Sequence, residues 1–357
     1  MMDGFEGKTA GRAPLEYPFG EETPAVGETM EVAPGVHWVR MPLPFSLQWI
    51  NLWLIDDGAR GWTIVDTGMP LDDTKSAWRK IFDEKLGGRP VWRVIVTHMH
   101  PDHIGNAGWL SRKFPESEFW ISRLEYISCR MLVADTGREA PEAGVTFYRQ
   151  AGWTEDQIET YKSRFGGFGR GVSRLPDAYR RLEDGDVFEM AGQTWRIISG
   201  NGHSPEHSCL FCEELNVLIS GDQLLPKISS NVSVFPTEPA GDPLRDWLES
   251  CEKLKAELPE DVLVLPAHNE PFRGAHSRLD HLIKGHGVAL RRLHQRLTQE
   301  PRRVVDVFPA IFGRKIGDDV LSMATGEALA HLNYLIENEQ AERTIDADGV
   351  AWYTAKA

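Results

Sequence analysis

The sequence has few cysteines, no long apolar run and no excess of positive charge. Four cysteines among 357 residues provide no disulfide framework, which argues against a disulfide-stapled secreted domain. No apolar run approaches the roughly 20 residues that cross a bilayer, and the N-terminal segment lacks the apolar core of a signal peptide. Lys and Arg total 39 against 53 Asp and Glu, and the net charge of −14 disfavours a general polyanion binder. A cytoplasmic location with no membrane partner is therefore expected.

The C-x-x-C spacing of Cys209 and Cys212 occurs in redox pairs and in zinc sites. The sequence contains no second C-x-x-C that could complete four thiolate ligands. The surrounding HSCLFCEELNVLIS has the pattern of a strand, a turn and another strand. We therefore interpret both cysteines as strand residues.

The chain divides by pattern into three parts. Residues 1–30 are rich in Gly, Glu, Pro and Thr without apolar periodicity, which predicts a flexible arm. Strands alternate with helices over residues 31–272, with a mainly helical insertion at about 123–177. Residues 273–357 predict three helices and a β-hairpin with an Asp-Gly turn, the element order of a winged-helix module. The predicted class is thus α/β (α+β), with a helical, winged-helix-like C-terminal domain.

A dense cluster of polar side chains follows one β-branched run. VWRVIVTH is typical of a buried strand, and it leads into His98, His100, Asp102 and His103. An aspartate at a helix start is often a cap, and a single histidine is often a polar loop residue. Four such residues within six positions favour a metal site over four separate structural roles.

Further candidates lie just beyond other predicted strands. His203 follows WRIIS, Asp222 follows NVLIS and His268 follows DVLVLP. Asp66 follows WTIV in the same way. Open sheets place their ligand sites beyond the ends of the strands. Imidazole and carboxylate groups are suitable ligands for zinc, iron or manganese.

Taken in order, H-x-H-x-D-H, G-H-S, S-G-D and P-A-H resemble the motifs of the metallo-β-lactamase superfamily. The D-T-G that precedes the first motif agrees with this resemblance, which covers residues 32–272. It implies a four-layer αβ/βα sandwich with the metal site at one edge of two packed sheets. His100 stands where the diiron oxidoreductase branch has a glutamate, which argues against that branch.

The resemblance also implies a role for each candidate residue. Asp222 would bridge two metal ions, and Asp66 would orient a ligand histidine from behind. The remaining ligands implied are His98, His100 and His203 for the first metal, and Asp102, His103 and His268 for the second.

The ligand types and the resemblance together predict metal-dependent hydrolysis. Two divalent ions, zinc or else iron or manganese, held about 3.5–4 Å apart can share a hydroxide. This hydroxide would attack the carbonyl carbon of a small ester-like substrate, a thioester or a lactone. Asp102 and Asp222 are the candidate catalytic residues, because either carboxylate could accept or pass a proton.

Three alternative functions stay open: an RNA-directed nuclease or phosphodiesterase, a mononuclear iron persulfide-type oxygenase, and a non-catalytic metal-holding regulator. For the first, the C-terminal domain offers cations, but the acidic chain favours a solvated helix face over a nucleic-acid surface. A homodimer is an open alternative for assembly. The cations are Lys284, Arg291, Arg292, Arg296, Arg302 and Arg303.

Two segments are candidates for substrate contact. KISSNVSVFP follows Asp222 closely and offers Lys227 and Asn231 to a pocket. RFGGFGRGVSR combines glycines with Phe168 and Arg170, which could form a lid over an apolar or anionic substrate. Each segment is equally compatible with a structural surface loop.

Overall fold

A computed structural model describes residues 15–356. The first 14 residues of the predicted arm therefore lie outside the described residues. Further along that arm, Glu16 exchanges two main-chain hydrogen bonds with Arg273, of 3.2 and 2.8 Å. Over residues 15–356, no helix has both the length and the apolar character needed to cross a membrane.

Two sheets form the centre of the structure. The first contains seven strands side by side in chain order: β1 (Thr29–Ala33), β2 (Val36–Pro42), β3 (Trp49–Asp56), β4 (Trp62–Val65), β5 (Val91–Ile95), β6 (Glu118–Ser122) and β7 (Arg180–Leu182). The second contains β8 (Val187–Met190), β9 (Gln193–Gly200), β10 (His207–Cys212), β11 (Val217–Gly221) and β12 (Leu263–Pro266). Its spatial order is β12-β11-β10-β9-β8.

Helices precede, connect and follow the strands of these sheets. They are α1 (Asp72–Glu84), α2 (Pro101–Ile104), α3 (Ala107–Lys113), α4 (Arg123–Ala134), α5 (Glu142–Gln150), α6 (Glu155–Arg164), α7 (Pro243–Glu257), α8 (Ala275–Leu297), α9 (Phe308–Ile311) and α10 (Leu321–Glu337). A hairpin of β13 (Ala341–Ile345) and β14 (Ala351–Ala355) follows α10. Short 3₁₀ helices cover Gly58–Arg60, Gly167–Gly171 and Val304–Asp306.

Strand alternation separates the apolar side chains into stacked layers. In β3, Leu52 and Leu54 pack with α1, α3 and α4 on the outer face of the first sheet. Their neighbours Trp53 and Ile55 point inward and pack against the second sheet, for example against Trp195. A third apolar cluster joins the outer face of the second sheet to α7, α8 and α10. This stacking confirms the expected four-layer αβ/βα sandwich.

The stretch IGNAGWLSRKF, residues 104–114, predicts one uninterrupted helix, but the structure divides this region into α2 and α3. The break has a tertiary cause, because Asn106 is bound to the loop that follows β4. Its side-chain amide donates to the carbonyls of Gly68 and Met69, at 3.1 and 2.5 Å. By contrast, Asp242 before Pro243 predicts the N-cap of α7, and this cap is confirmed, since the Asp242 carboxylate accepts from the Arg245 N–H at 3.2 Å.

The C-terminal segment shares its core with the second sheet. Twelve of the 17 residues of α10 are buried, so this helix is enclosed on almost every side. The cluster around it includes Leu218 and Val264 of the second sheet as well as Tyr353 of the final hairpin. The predicted C-terminal hairpin is present, and the winged-helix assignment stays a prediction.

The two cysteines of the C-x-x-C both lie in β10. Cys209 packs on the outer face of the second sheet, whereas Cys212 packs in the layer between the sheets. Both thiols are free and buried, and burial raises the pKa of the Cys212 thiol to about 11. Two thiols on opposite sheet faces do not form a redox pair, in agreement with their interpretation as strand residues.

Candidate metal centre

The metal-binding candidates meet at one edge of the sandwich because strands of both sheets end there. The chain leaves β4 at Asp66 and passes from β5 into His98, and these two strands are parallel. In the second sheet, β11 ends just before Asp222 and the parallel strand β12 ends just before His268. The carboxyl ends of these strands place the four side chains in a common loop crevice.

Within this crevice the candidate ligands form two compact groups. In each group, ligand atoms from all members lie within 4.8 Å of one another. The first group consists of His98, His100, His203 and Asp222, and the second group consists of Asp102, His103 and His268.

Asp222 lies between the two groups and directs one carboxylate oxygen toward each. Its Oδ2 lies 3.3 Å from His203 Nε2 and 4.0 Å from His98 Nε2. Its Oδ1 lies 3.5 Å from the Nε2 atoms of both His103 and His268. The second group is completed by Asp102, whose Oδ2 lies 3.4 Å from His268 Nε2.

Three of the histidines are anchored through Nδ1, which leaves Nε2 directed toward the crevice. The anchoring oxygens are Asp66 Oδ2 for His103, the Asn231 carbonyl for His203 and the Trp49 carbonyl for His268, at 2.8, 2.8 and 3.0 Å. All three Nε2 atoms and Asp222 Oδ1 are buried without a hydrogen-bond partner among residues 15–356. Buried polar atoms nearly always have a hydrogen-bond partner, so these four unpaired ligand atoms fit the binding of a divalent cation.

The two groups differ in the protonation that their surroundings favour. Burial, together with neighbouring imidazoles, lowers the pKa of His98 well below its ordinary value and that of His100 to about 3. Burial also acts against protonation of His103, but the carboxylates of Asp66, Asp222 and Asp102 outweigh it. The pKa of His103 is therefore raised well above its ordinary value, and that of His268 is raised for the same reasons.

Burial by itself would raise the pKa values of the two carboxyl groups in the crevice. The neighbouring imidazoles of His103 and His268 more than compensate, so the pKa of Asp102 falls to about 2. The same two histidines hold the pKa of Asp222 well below its ordinary value. Asp102 and Asp222 are therefore both ionised at neutral pH.

Asp66 takes a backbone conformation that is uncommon for a residue with a side chain, with φ at +61°. Its carboxylate accepts from the Thr97 N–H at 2.8 Å and lies 2.8 Å from His103 Nδ1. The side chain is 2% exposed, so both contacts are shielded from water. Strain of this kind persists where surrounding contacts enforce it, and here it aims a carboxylate at a candidate ligand.

His207 is a site residue that the sequence did not single out. Its ring stacks on His98 with centroids 4.8 Å apart, and its Nε2 accepts from the Asp222 N–H at 3.1 Å. Gly221 takes a positive φ of 49°, and a Cβ there would lie 2.5 Å from His207 Nε2. The turn before Asp222 therefore requires glycine. A second histidine four residues after His203 was the available signal.

Glu125 of α4 is a second missed residue, and it connects the two loops that carry the first group's histidines. One carboxylate oxygen accepts from the Met99 N–H at 2.9 Å. The other accepts from Ser204 Oγ at 2.6 Å and from the Glu206 N–H at 2.8 Å. The side chain is fully buried. No local pattern signalled this role, because its partners lie far away in the sequence.

The structure gives the four predicted substrate residues different surroundings. Lys227 forms a salt bridge with Glu270 at 2.6 Å, so its charge is already paired. The Asn231 side chain points into the protein, where its Nδ2 donates to Glu327 at 2.8 Å. Phe168 packs partly buried against the core of the first sheet, while Arg170 is exposed. Substrate contact by these residues stays a prediction.

The 3₁₀ helix that carries Phe168 and Arg170 does lie beside a ligand loop. A Cβ on Gly171 would lie 2.9 Å from Cβ of Pro101, the residue between His100 and Asp102. The segment therefore borders a loop that carries candidate ligands, as a lid would.

Comparison with protein families gives two adjoining matches. The metallo-beta-lactamase superfamily model matches residues 50–268, a span that contains all seven candidate ligands. The model of the metallo-beta-lactamase-like C-terminal domain matches residues 290–356.

Two solved structures are similar over nearly the whole chain. A beta-lactamase domain protein from Burkholderia ambifaria has a TM-score of 0.87 and 40% identity, covering 96% of this chain and 98% of that one. A metallo-beta-lactamase family protein from Thermus thermophilus has a TM-score of 0.75 and 26% identity, covering 91% and 100%.

Curated proteins also match this chain. The probable metallo-hydrolase YqjP of Bacillus subtilis is 24% identical over 336 residues, covering 89% of this chain and 97% of that protein. An atrochrysone carboxyl ACP thioesterase of Aspergillus fumigatus is 25% identical over 238 residues, covering 66% of this chain. The match spans only 41% of that thioesterase.

Proposed function

The chain belongs to the metallo-β-lactamase superfamily and is a hydrolase of that fold, and we propose that it cleaves an acyl thioester with the help of two divalent metal ions. The single observation that carries the two-metal part is the position of Asp222. Its Oδ2 faces the first group at 3.3 Å from His203, and its Oδ1 faces the second group at 3.5 Å from His103 and His268.

The proposed ligand sets follow the two groups. His98, His100 and His203 would hold the first ion, Asp102, His103 and His268 would hold the second, and Asp222 would contribute to both. Zinc is the proposed metal, because nitrogen and carboxylate ligands suit it and no thiolate is among these seven residues. Bound ions would supply Lewis acidity at the substrate carbonyl and a water acidic enough to act as a nucleophile near neutral pH.

The protein's own residues orient this chemistry and handle its protons. Asp66 fixes the ring of His103 through Nδ1, so that Nε2 stays directed into the crevice. Asp102 is the more accessible carboxylate of the site, with its side chain 15% exposed, whereas that of Asp222 is 6% exposed. Its lowered pKa keeps it ionised, and we assign the Asp102 carboxylate as the acceptor of the proton released in the attack, with Asp222 as the second candidate.

The thioester class is supported by what similar proteins are called. Several curated relatives are named atrochrysone carboxyl ACP thioesterases, at 23–25% identity over about two thirds of this chain. A lactone is the nearest alternative substrate, because its carbonyl presents the same electrophile to the same crevice.

The test combines metal analysis with a substrate panel on one preparation. Purified protein is assayed for zinc, iron and manganese content and then for hydrolysis of thioesters, lactones and bis-(p-nitrophenyl) phosphate. His100→Ala and Asp222→Ala should each lose metal and at least about 10³-fold in kcat/KM, since a metal contributes several kcal/mol to the transition state. The control, His294→Ala, removes a partly exposed histidine on α8 and should preserve both.

Each result separates the proposal from its competitors. Two metals per chain with preferred thioester turnover support it. Full activity in the metal-free protein or in Asp222→Ala would overturn it. One iron per chain with oxygen consumption would indicate the oxygenase, and phosphodiester turnover with salt-sensitive RNA affinity would indicate the nuclease. Full metal loading without turnover of any substrate would indicate a regulator.

A further inference from the structure

The C-terminal helix α10 packs unusually closely against the segment that follows Asp222. At Gly326, a Cβ atom would lie 2.7 Å from Ser233 Cβ and 2.8 Å from the Val234 carbonyl oxygen. The Val234 N–H donates to the Gly326 carbonyl at 3.1 Å. The absence of a side chain at this position therefore allows α10 to contact the 231–234 backbone directly.

This close contact places the next residue, Glu327, against Asn231. The Asn231 Nδ2 donates to Glu327 Oε2 at 2.8 Å, and the Asn231 Oδ1 accepts from Ser233 Oγ at 2.5 Å. Both polar ends of the Asn231 side chain are thereby fixed. Its main-chain carbonyl oxygen lies 2.8 Å from Nδ1 of His203.

Burying Glu327 in this position has a cost in folding free energy. Its side chain is 3% exposed and forms no salt bridge within residues 15–356. Burial raises the pKa of the Glu327 carboxyl to about 8, although the hydrogen bond from Asn231 opposes the shift. Burying a carboxyl without a cationic partner costs free energy unless the group is hydrogen-bonded. For Glu327, the hydrogen bond is the one from Asn231.

We infer that Glu327 is a positioning residue for the metal centre: it orients Asn231, whose carbonyl holds the His203 imidazole with Nε2 directed at the first group. The C-terminal helix is thereby part of the hydrolytic site, although none of its residues is a candidate ligand. The inference rests on the proposed metal site, and it is independent of the substrate.

The experiment measures zinc binding to the metal-free full-length protein by competition with a chromophoric chelator. His203→Ala removes the zinc-binding step of the first group and thereby identifies it. Glu327→Ala should weaken the same step by about tenfold, which is the lower end of the effect of outer-shell partners. Glu327→Gln should bind zinc within about twofold of the wild type, because its amide oxygen can still accept from Asn231 Nδ2. This rescue distinguishes an acceptor role from a requirement for charge.

Asn231→Ala provides an independent route to the same answer, and it remains available if Glu327→Ala does not fold. It keeps the carbonyl that faces His203 but removes the side-chain hydrogen bond to Glu327, so it should reproduce the tenfold loss. Combining it with Glu327→Ala should add nothing further, since both changes break one chain of contacts.

The matched control is Asn333→Ala on the same helix. Asn333 is 8% exposed and donates to the carbonyls of Pro239 and Gly241, at 3.1 and 2.8 Å. The Asn333→Ala substitution should lower the thermal midpoint of unfolding without changing zinc affinity. Equal zinc affinities in Glu327→Ala and Asn333→Ala, or an equal loss in Glu327→Gln and Glu327→Ala, would overturn the inference. Absence of any zinc binding in the wild type would instead count against the proposed function.

Discussion

The two ligand groups share one carboxylate but are supported in different ways. In the second group, His103 is anchored by the buried carboxylate of Asp66. In the first group, His203 is anchored by the neutral carbonyl of Asn231. Nearby carboxylates raise the pKa of His103, whereas burial among other imidazoles lowers the pKa values of His98 and His100.

This difference shows that similar imidazoles at one sheet edge can be prepared differently for metal. A ring held neutral by its surroundings gives a free nitrogen to a metal without losing a proton. A ring held by carboxylates has to release its proton, but its anchoring is stronger once the metal is bound. Variants that remove one support at a time should therefore separate the two groups.

The largest difference in zinc affinity between the two ligand groups is expected from Asp66→Asn. An amide has one acceptor oxygen, so it cannot serve both the Thr97 N–H and the His103 ring, each of which now bonds a different oxygen. Zinc affinity of the second group should fall roughly 10–100-fold, with the first group largely preserved. Zinc titration of the metal-free protein measures the two steps.

Asp57→Asn is the matched control for this change. Asp57 is also a largely buried aspartate, and it accepts from Trp92 and from the Ala191 N–H, each at 2.7 Å. It follows β3, whose antiparallel pairing with β4 places it at the opposite edge of the sheet. An equal loss of zinc in both variants, or an equal weakening of both groups by Asp66→Asn, would contradict the separation.

The next largest effect is expected from Glu125→Gln, which acts on the first group. All three partners of the carboxylate donate to it, so an amide would direct an NH₂ group at another donor. We expect a loss of about 1–3 kcal/mol in the free energy of unfolding, together with weaker zinc binding at the first group. Urea denaturation of the metal-free protein measures the stability. Unchanged stability and zinc affinity would show that the two loops are held by other contacts.

How much of this could be read from the sequence depends on the distance between partners. The seven candidate ligands and Asp66 could be identified because each follows a recognisable strand or motif. Apart from Asp66, the residues that hold the ligands in place could not be identified in this way. Glu125 bonds Ser204 across 79 residues and Asn231 bonds Glu327 across 96, and no local periodicity encodes such pairs. The break between α2 and α3 has the same origin, since Asn106 bonds the loop after β4.

A smaller effect should appear in the pH dependence of stability. The pKa of Glu327 is about 8 in the folded protein against an ordinary 4.5, so the folded state keeps this proton while the unfolded chain loses it. The contribution is fully present below the unfolded value and is lost as pH rises toward the folded one. The stability of the wild type relative to Glu327→Gln should therefore decline between about pH 5 and 8.

The slope of that decline is at most about 1.4 kcal/mol per pH unit for a single group. Both proteins are compared by urea denaturation in the presence of a chelator, so that metal loss does not contribute. A constant difference across this range would mean that Glu327 is ionised in the folded state.

The smallest effect is expected from Arg170→Ala, which tests substrate contact against metal support. The guanidinium is exposed and forms no salt bridge within the described residues. Exposed charge pairs contribute little, so KM for an anionic thioester should rise by about fivefold at most, with kcat and the zinc content of both groups unchanged. An unchanged KM would remove the segment from the substrate site, and a loss of zinc would assign it to the metal support instead.

The direct contact between Gly326 and the 231–234 backbone has a consequence for the construction of chimaeras from this protein and its relatives. The C-terminal segment looks like an attachment that could be exchanged between relatives, yet its central helix fits one particular stretch of the catalytic half. A chimaera that joins the N-terminal part of one relative to α10 of another has to carry the matching 231–234 segment with it. The boundary that matters for such exchanges thus runs through a packed contact surface, and cutting the chain at a loop will not separate the halves.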